Sequence, residues 1–245
     1  MNIWQGAWHI AKYELTRDRF GMIFTILFCL YMCLCILGVY NLNGEYSGVN
    51  TWLLDVMFIV VLPNMAFVMN RTTFQFWRND TFTGKLSEWR TMPIPLNHLA
   101  LGRLLQLVIV LAPAMILFFL TQYFLVPEMK ETYSVAVFIQ FGLFWFFYAL
   151  GIAVVYVYWE IGHSGKTYSI FCYICATVYL IVVLACKLAG INIVMGVLGE
   201  LQAQHWWYTA GALAFCILSL LSGFSLIVKR LRTRNFVRKA AGIAS

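Results

Sequence analysis

Six consecutive residues, Gly162-His163-Ser164-Gly165-Lys166-Thr167, gather the side chains that hold phosphates and act as nucleophiles. A phosphate loop needs a glycine five positions before Gly165 and a strand leading into it. Glu160 occupies that position and no strand pattern precedes it, so this loop does not cradle a nucleotide. Cys172 and Cys175 have the spacing of a zinc or redox pair, but they lack a second pair of ligands and sit in the apolar run 169–188. All seven cysteines lie in apolar runs, where a free thiol behaves as a small hydrophobe. The four histidines, His9, His98, His163 and His205, are scattered and form no His-Glu-x-x-His pattern. No metal site is expected. Asp55 and Lys187 are ionisable residues inside apolar runs, which makes them functional candidates by default. They fall at similar depth and could form an intramembrane pair. The favoured alternative is that each reaches the nearby interface.

Ser164 carries one further reading. Gly162-x-Ser164-Gly165 matches the nucleophile motif of rhomboid-type intramembrane serine proteases, and Glu88-Trp89-Arg90 faintly echoes that family's loop signature. A nucleophilic serine needs a histidine within hydrogen-bond reach. The family supplies it from its sixth span, but residues 206–228 contain none. His205 falls on the opposite predicted side of the membrane from Ser164. The protease stands only as a remote alternative, and no catalytic residue is assigned.

The elements that carry these residues are set by composition. The chain has 245 residues, 62% hydrophobic and 11% charged, with a mean hydropathy of +0.79. Soluble domains average about 25% charged residues. An ordinary soluble enzyme, a disordered chain and a disulfide scaffold are therefore excluded. A membrane-spanning helix takes about 20 apolar residues. The hydropathy pattern predicts an all-α protein, one transmembrane domain over 1–245, with six spans at about 21–40, 51–70, 99–126, 134–159, 167–189 and 206–228. The first run is too long for a signal-peptide core and has no small-residue cleavage site after it, so it reads as a retained span. Pro63 and Pro113 should kink their helices. Residues 1–20 alternate apolar and polar positions at helical spacing, with Trp4 and Trp8 among them, and read as an amphipathic interfacial helix. Residues 190–205 read as short outer helices.

Orientation follows from the basic residues. Fifteen of 17 fall on one predicted side, taken as cytoplasmic with both termini. Only Lys130 and Lys187 fall on the other. Residues 229–245 form a basic tail in which Lys229, Arg230, Arg232 and Arg234 are candidates for anionic lipid headgroups. Interleaved basic and aromatic surface of the kind that stacks on single strands is missing, so nucleic acid is not expected as a partner.

The longest polar stretch, 71–98, carries Phe74, Trp77 and Arg78, then Lys85, Leu86, Glu88, Trp89 and Arg90. Phe74 with Trp77, and Leu86 with Trp89, sit three apart, so each half offers an apolar face. Aromatic anchors with a basic rim favour a docking surface over a loop resting on lipid. Pro93 and Pro95 end that segment, and Asn97 is the expected N-cap of the third span.

Met92-Pro93-Ile94-Pro95, followed by Gly102-Arg103-Leu104-Leu105, resembles the stretch leading into the third span of type-2 permeases of ATP-binding-cassette exporters. Tyr13-Glu14-Leu15 with Arg17 and Arg19 is similar to that family's approach to its first span. The layout agrees along essentially the whole chain, although the family often has a hydroxyl residue where Pro95 stands. The loop pattern is also similar to permeases that export antimicrobial peptides in Gram-positive bacteria. The resemblance implies that residues 71–90 form the coupling helix resting on a separate ATPase subunit. Glu160, His163 and Lys166 would make a smaller second contact. It implies no cofactor on this chain, with ATP and Mg held by the ATPase, and a pairing with a second copy or a similar permease. The cargo would be an amphipathic peptide, a lipid-like molecule or a drug, exported across a bacterial plasma membrane. A non-transporting membrane anchor is the other alternative.

Overall fold

The computed structural model of the chain describes residues 2–41, 48–69, 84, 89 and 94–233. Among these residues every regular element is helical. The elements are α1 (Ile3–Arg17), α2 (Arg19–Asn41), α3 (Gly48–Val56), α4 (Leu96–Leu125), α5 (Pro127–Thr132), α6 (Val135–Gly162), α7 (Gly165–Leu188), α8 (Ile193–Gln202) and α9 (Trp207–Thr233). Five of them, α2, α4, α6, α7 and α9, are long and apolar enough to cross a membrane.

The expected second span is a broken element. After α3 the backbone widens to a π turn over Met57–Val61, then tightens to a 3-10 turn over Leu62–Ala66. Pro63 explains the break, because it has no N–H for the carbonyl four residues earlier and its ring crowds that carbonyl. The orphaned acceptor is Ile59 O. The Tyr148 hydroxyl of α6 donates to it at 3.2 Å, and Asn64 Nδ2 donates to the neighbouring Val60 O at 2.7 Å. Pro113, by contrast, sits inside α4 without ending it.

Helix ends also differ from those expected. The third long helix begins at Leu96 with Pro95 at its cap position, two residues before the expected Asn97. Pro95 has extended backbone, φ −61° and ψ 134°, and its carbonyl accepts from His98 N and Leu99 N. The fourth span runs on to Gly162, so Glu160 lies in a helix rather than a loop. The fifth starts at Gly165, where Ser164 Oγ accepts from Thr167 N. The sixth runs on to Thr233, taking Lys229, Arg230 and Arg232 into its last turns, where cations favour the negative end of the helix dipole.

The core lies between α4 and α6. Phe138, Phe141, Trp145, Ala149, Ala153 and Val157 recur at helical spacing on one face of α6 and are buried. Phe58 in the π turn is fully enclosed, with ring centroids 5.0 Å from Trp145 and 5.7 Å from Phe118 and Phe141. Edge-to-face aromatic contacts add to the dispersion gained by close packing. The close approaches at Gly223 and Gly102 depend on glycine. α9 lies so near α6 that a Cβ on Gly223 would overlap Val154. α1 crosses α4 over Gly102, whose missing Cβ leaves room for Ala7 O and Ile10. The outer surfaces of α2, α7 and α9 stay apolar, with Phe24, Leu34, Tyr173, Ile181, Leu218 and Leu221 exposed. Apolar surface on this scale is what a hydrocarbon medium accepts and water does not. The chain is a multi-pass helical membrane protein.

Candidate functional site

The charged residues inside this apolar bundle are gathered into two places. The first lies where α4, α6, α7 and α9 meet α1. Arg103 sits two turns into α4, on the strip whose neighbours Ala100, Leu104 and Leu107 face the core. Its Nη2 donates to Glu160 Oε1 at 2.5 Å, and its Nη1 donates to Gln106 Oε1 at 2.7 Å. The Glu160 side chain is 3% exposed and that of Arg103 is 19% exposed. Glu14, the single acid of α1, is buried and adds to the attraction on the guanidinium. Tyr168 of α7 is buried beside the same group.

A second link holds the turn after Glu160. Arg230 Nε of α9 donates to Gly162 O at 3.0 Å. His163 stacks on Trp159 with ring centroids 4.3 Å apart, and Trp159 stacks on Phe171 at 4.4 Å. α4 and α9 are therefore tied to the C-terminal end of α6, with Glu14 of α1 and Tyr168 of α7 beside Arg103. In low dielectric, charges must be paired and hydrogen-bonded to be tolerated, and removing one partner leaves the other at high cost. The junction makes the position of α4 depend on that of the α6–α7 turn.

The second place is at the far ends of α3 and α7. Asp55 is buried; its Oδ1 accepts from Val194 N at 2.8 Å and its Oδ2 from Ile193 N at 3.1 Å. The carboxylate thereby satisfies two of the orphan N–H groups that open α8. Lys187 Nζ lies 5.2 Å above the Trp52 ring centroid, a cation–π contact. The expected Asp55–Lys187 pairing is not formed: each finds a partner on a different element, because the start of α8 reaches Asp55 first.

The other expected residues fall as follows. Glu160 is enclosed rather than presented on a loop; Lys166 is exposed in the first turn of α7, and His163 is half-buried. Trp89 is half-buried and packs against the core. Ile94 is half-buried, Pro95 exposed and Gly102 buried under α1. Phe74, Trp77, Arg78, Lys85, Leu86, Glu88, Arg90, Met92, Pro93 and Arg234 lie outside the described residues. Lys229 and Arg232 are exposed at the end of α9, whereas Arg230 is turned inward to Gly162.

Ser164 and His205 are each engaged locally. Ser164 Oγ lies 2.9 Å from Thr167 Oγ1 as part of the α7 cap, and His205 Nδ1 lies 2.6 Å from Glu200 Oε2 with its ring stacked on Trp207. Among the described residues no group of three or more His, Cys, Asp or Glu side chains could hold a metal ion.

The Arg103–Glu160 pair and the Tyr148–Ile59 bond went unread in the sequence. The available signal for the first was an arginine and a glutamate flanking two spans on the same predicted side. For the second it was a tyrosine in mid-span opposite a proline-containing one. No family model matches the chain, and comparison with curated proteins and with solved structures returns no match.

Proposed function

We propose that this chain is the membrane-spanning permease subunit of an ATP-binding-cassette exporter of the type-2 kind. On this reading it pairs with a second copy or a similar permease and is driven by a separate ATPase that holds ATP and Mg. The carrying observation is the Arg103–Glu160 pair. Arg103 stands two turns into α4, the helix that follows the 71–90 loop in sequence, and Glu160 stands in the last turn of α6, just before the turn into α7. The helices that adjoin the two segments assigned to the ATPase are tied together by one buried ion pair. A push on the loop would move α4, and the pair would pass that movement to the α6–α7 turn. The two bundles would then rotate from an inward-open to an outward-open path.

On this reading residues 48–66, α3 with the π and 3-10 turns after it, would serve as a sixth span beside the five long helices. Lys12, Arg17, Arg19, Arg103, Lys166, Lys229, Arg230 and Arg232 would all face the cytoplasm, with both termini, in a bacterial plasma membrane. The cargo class is an amphipathic peptide, a lipid-like molecule or a drug. Antimicrobial-peptide export or immunity would fit such a cargo.

The test is retention of an ATP-hydrolysing chain by the tagged full-length protein after gentle detergent extraction. Trp77→Ala should weaken that retention. Unchanged retention and unchanged ATPase stimulation, for Trp77→Ala and for Trp89→Asp alike, would remove the coupling assignment.

A further inference from the structure

α1 sorts its charges by face. Its one acid, Glu14, is turned inward toward Arg103, and its small residues Ala7 and Ala11 pack on α4. The exposed surface of α1 carries Trp4 and Trp8 on one flank and Tyr13 on the other, exposed at 61%, 52% and 59%, with exposed Lys12, Arg17 and the polar Gln5, His9 and Thr16. Arg19, exposed at the start of α2, extends the basic set, and Asp18 beside it is half-buried. The face therefore carries three cations against one acid. Phe20 and Phe24 of α2, both exposed, continue the same surface toward the apolar flank of the bundle. A helix with exposed rings and cations that leads directly into a hydrocarbon-facing helix is suited to lie against a bilayer. Tryptophan and tyrosine rings settle at headgroup depth, and lysine and arginine there favour anionic lipid.

We infer that the outward face of α1, with Lys12, Arg17 and Arg19 as its charged contacts, binds anionic phospholipid headgroups and selects them over zwitterionic ones. These residues lie on α1 and α2, whereas the other basic group lies at the end of α9. The α1 face differs from a passive interfacial helix because the acid that would cancel its charge is stored in the bundle. Occupancy would also hold α1 down on α4 over Gly102.

The test is native mass spectrometry of the full-length protein, titrated with an equimolar mixture of phosphatidylglycerol and phosphatidylcholine. The wild-type chain should retain phosphatidylglycerol preferentially. Each basic residue near the surface contributes about a fivefold preference. The variant K12Q/R17Q/R19Q should therefore lower that preference roughly a hundredfold, and K12Q alone about fivefold, which covers the case in which the triple variant fails to fold. The control K130Q, at an exposed lysine of α5, should keep the preference. The inference is overturned if K12Q and the triple variant stay within about twofold of wild type, or if K130Q lowers the preference as much as K12Q does. It is also overturned if the triple variant keeps its lipid preference but sheds a co-purifying protein, which would make the face a protein-docking surface. No ATPase enters the assay, so its failure is distinct from failure of the permease reading.

Discussion

Arg103 of α4 and Glu160 of α6, 57 residues apart in sequence, meet at 2.5 Å in an interior built mostly of leucine, valine and aromatic rings. Their separation along the chain is why no local pattern announces them. Their burial is why the pair must be kept whole.

Glu160→Ala should therefore be among the most destabilising single changes in the bundle. Breaking a buried pair from one side costs about 3–5 kcal/mol, because the remaining charge is stranded. Arg103→Met combined with Glu160→Met should recover a large part of the loss. Thermal unfolding in detergent checks both; equal losses for the single and double variants would show that the pair does not act as a unit.

The Tyr148–Ile59 bond makes a different kind of prediction, about a proline and its substitute donor. Tyr148→Phe removes the hydroxyl that serves Ile59 O and should cost about 0.6–1.7 kcal/mol, the range for hydrogen bonds between membrane helices. In a Pro63→Ala background the restored amide N–H can reach the same carbonyl, so the cost of Tyr148→Phe should shrink. A double-mutant cycle on unfolding free energy measures this coupling. Strict additivity would contradict it.

Asp55 should control the start of α8. With Asp55→Ala, the amides of Ile193 and Val194 lose their acceptors and should exchange with solvent markedly faster. Hydrogen bonds to a charged group are worth about 1.5–3 kcal/mol. Asp55→Asn keeps one carbonyl acceptor and should fall between wild type and alanine. Hydrogen-exchange mass spectrometry over residues 186–202 reads the effect, and unchanged exchange in both variants would show that α8 is held by other means.

Gly102→Leu tests the seating of α1. The side chain would be driven into Ala7 O and Ile10. Overpacking of this kind costs about 1–3 kcal/mol. α1 should lift from α4, and protease cleavage within residues 3–17 should speed up. Cleavage at the wild-type rate would mean that α1 does not depend on this approach.

The membrane class and the long helices were legible because hydropathy over about 20 residues is a strong local signal. The amphipathic α1 was legible from its 3.6-residue period. Helix ends were not. α9 extends past the apolar run because its basic last turn favours the dipole, and α6 extends to Gly162 because Glu160 has Arg103 to pair with. The second span was expected to kink at Pro63, but the π and 3-10 turns depend on Tyr148, a residue 85 positions away that only the fold brings near. The same holds for Asp55, which pairs with backbone amides that carry no sequence signature.

On the proposed permease reading, energy reaches this chain from an ATP-hydrolysing partner through the 71–90 loop and the Arg103–Glu160 junction. The most direct test is ATP hydrolysis by the complex that co-purifies with the tagged full-length chain, reconstituted in lipid vesicles. The account predicts an associated ATPase chain whose activity rises on reconstitution. Trp77→Ala should reduce the amount retained, and Glu160→Gln should leave the partner bound but break its stimulation. No ATPase chain under any gentle extraction, or full stimulation in both variants, would contradict it.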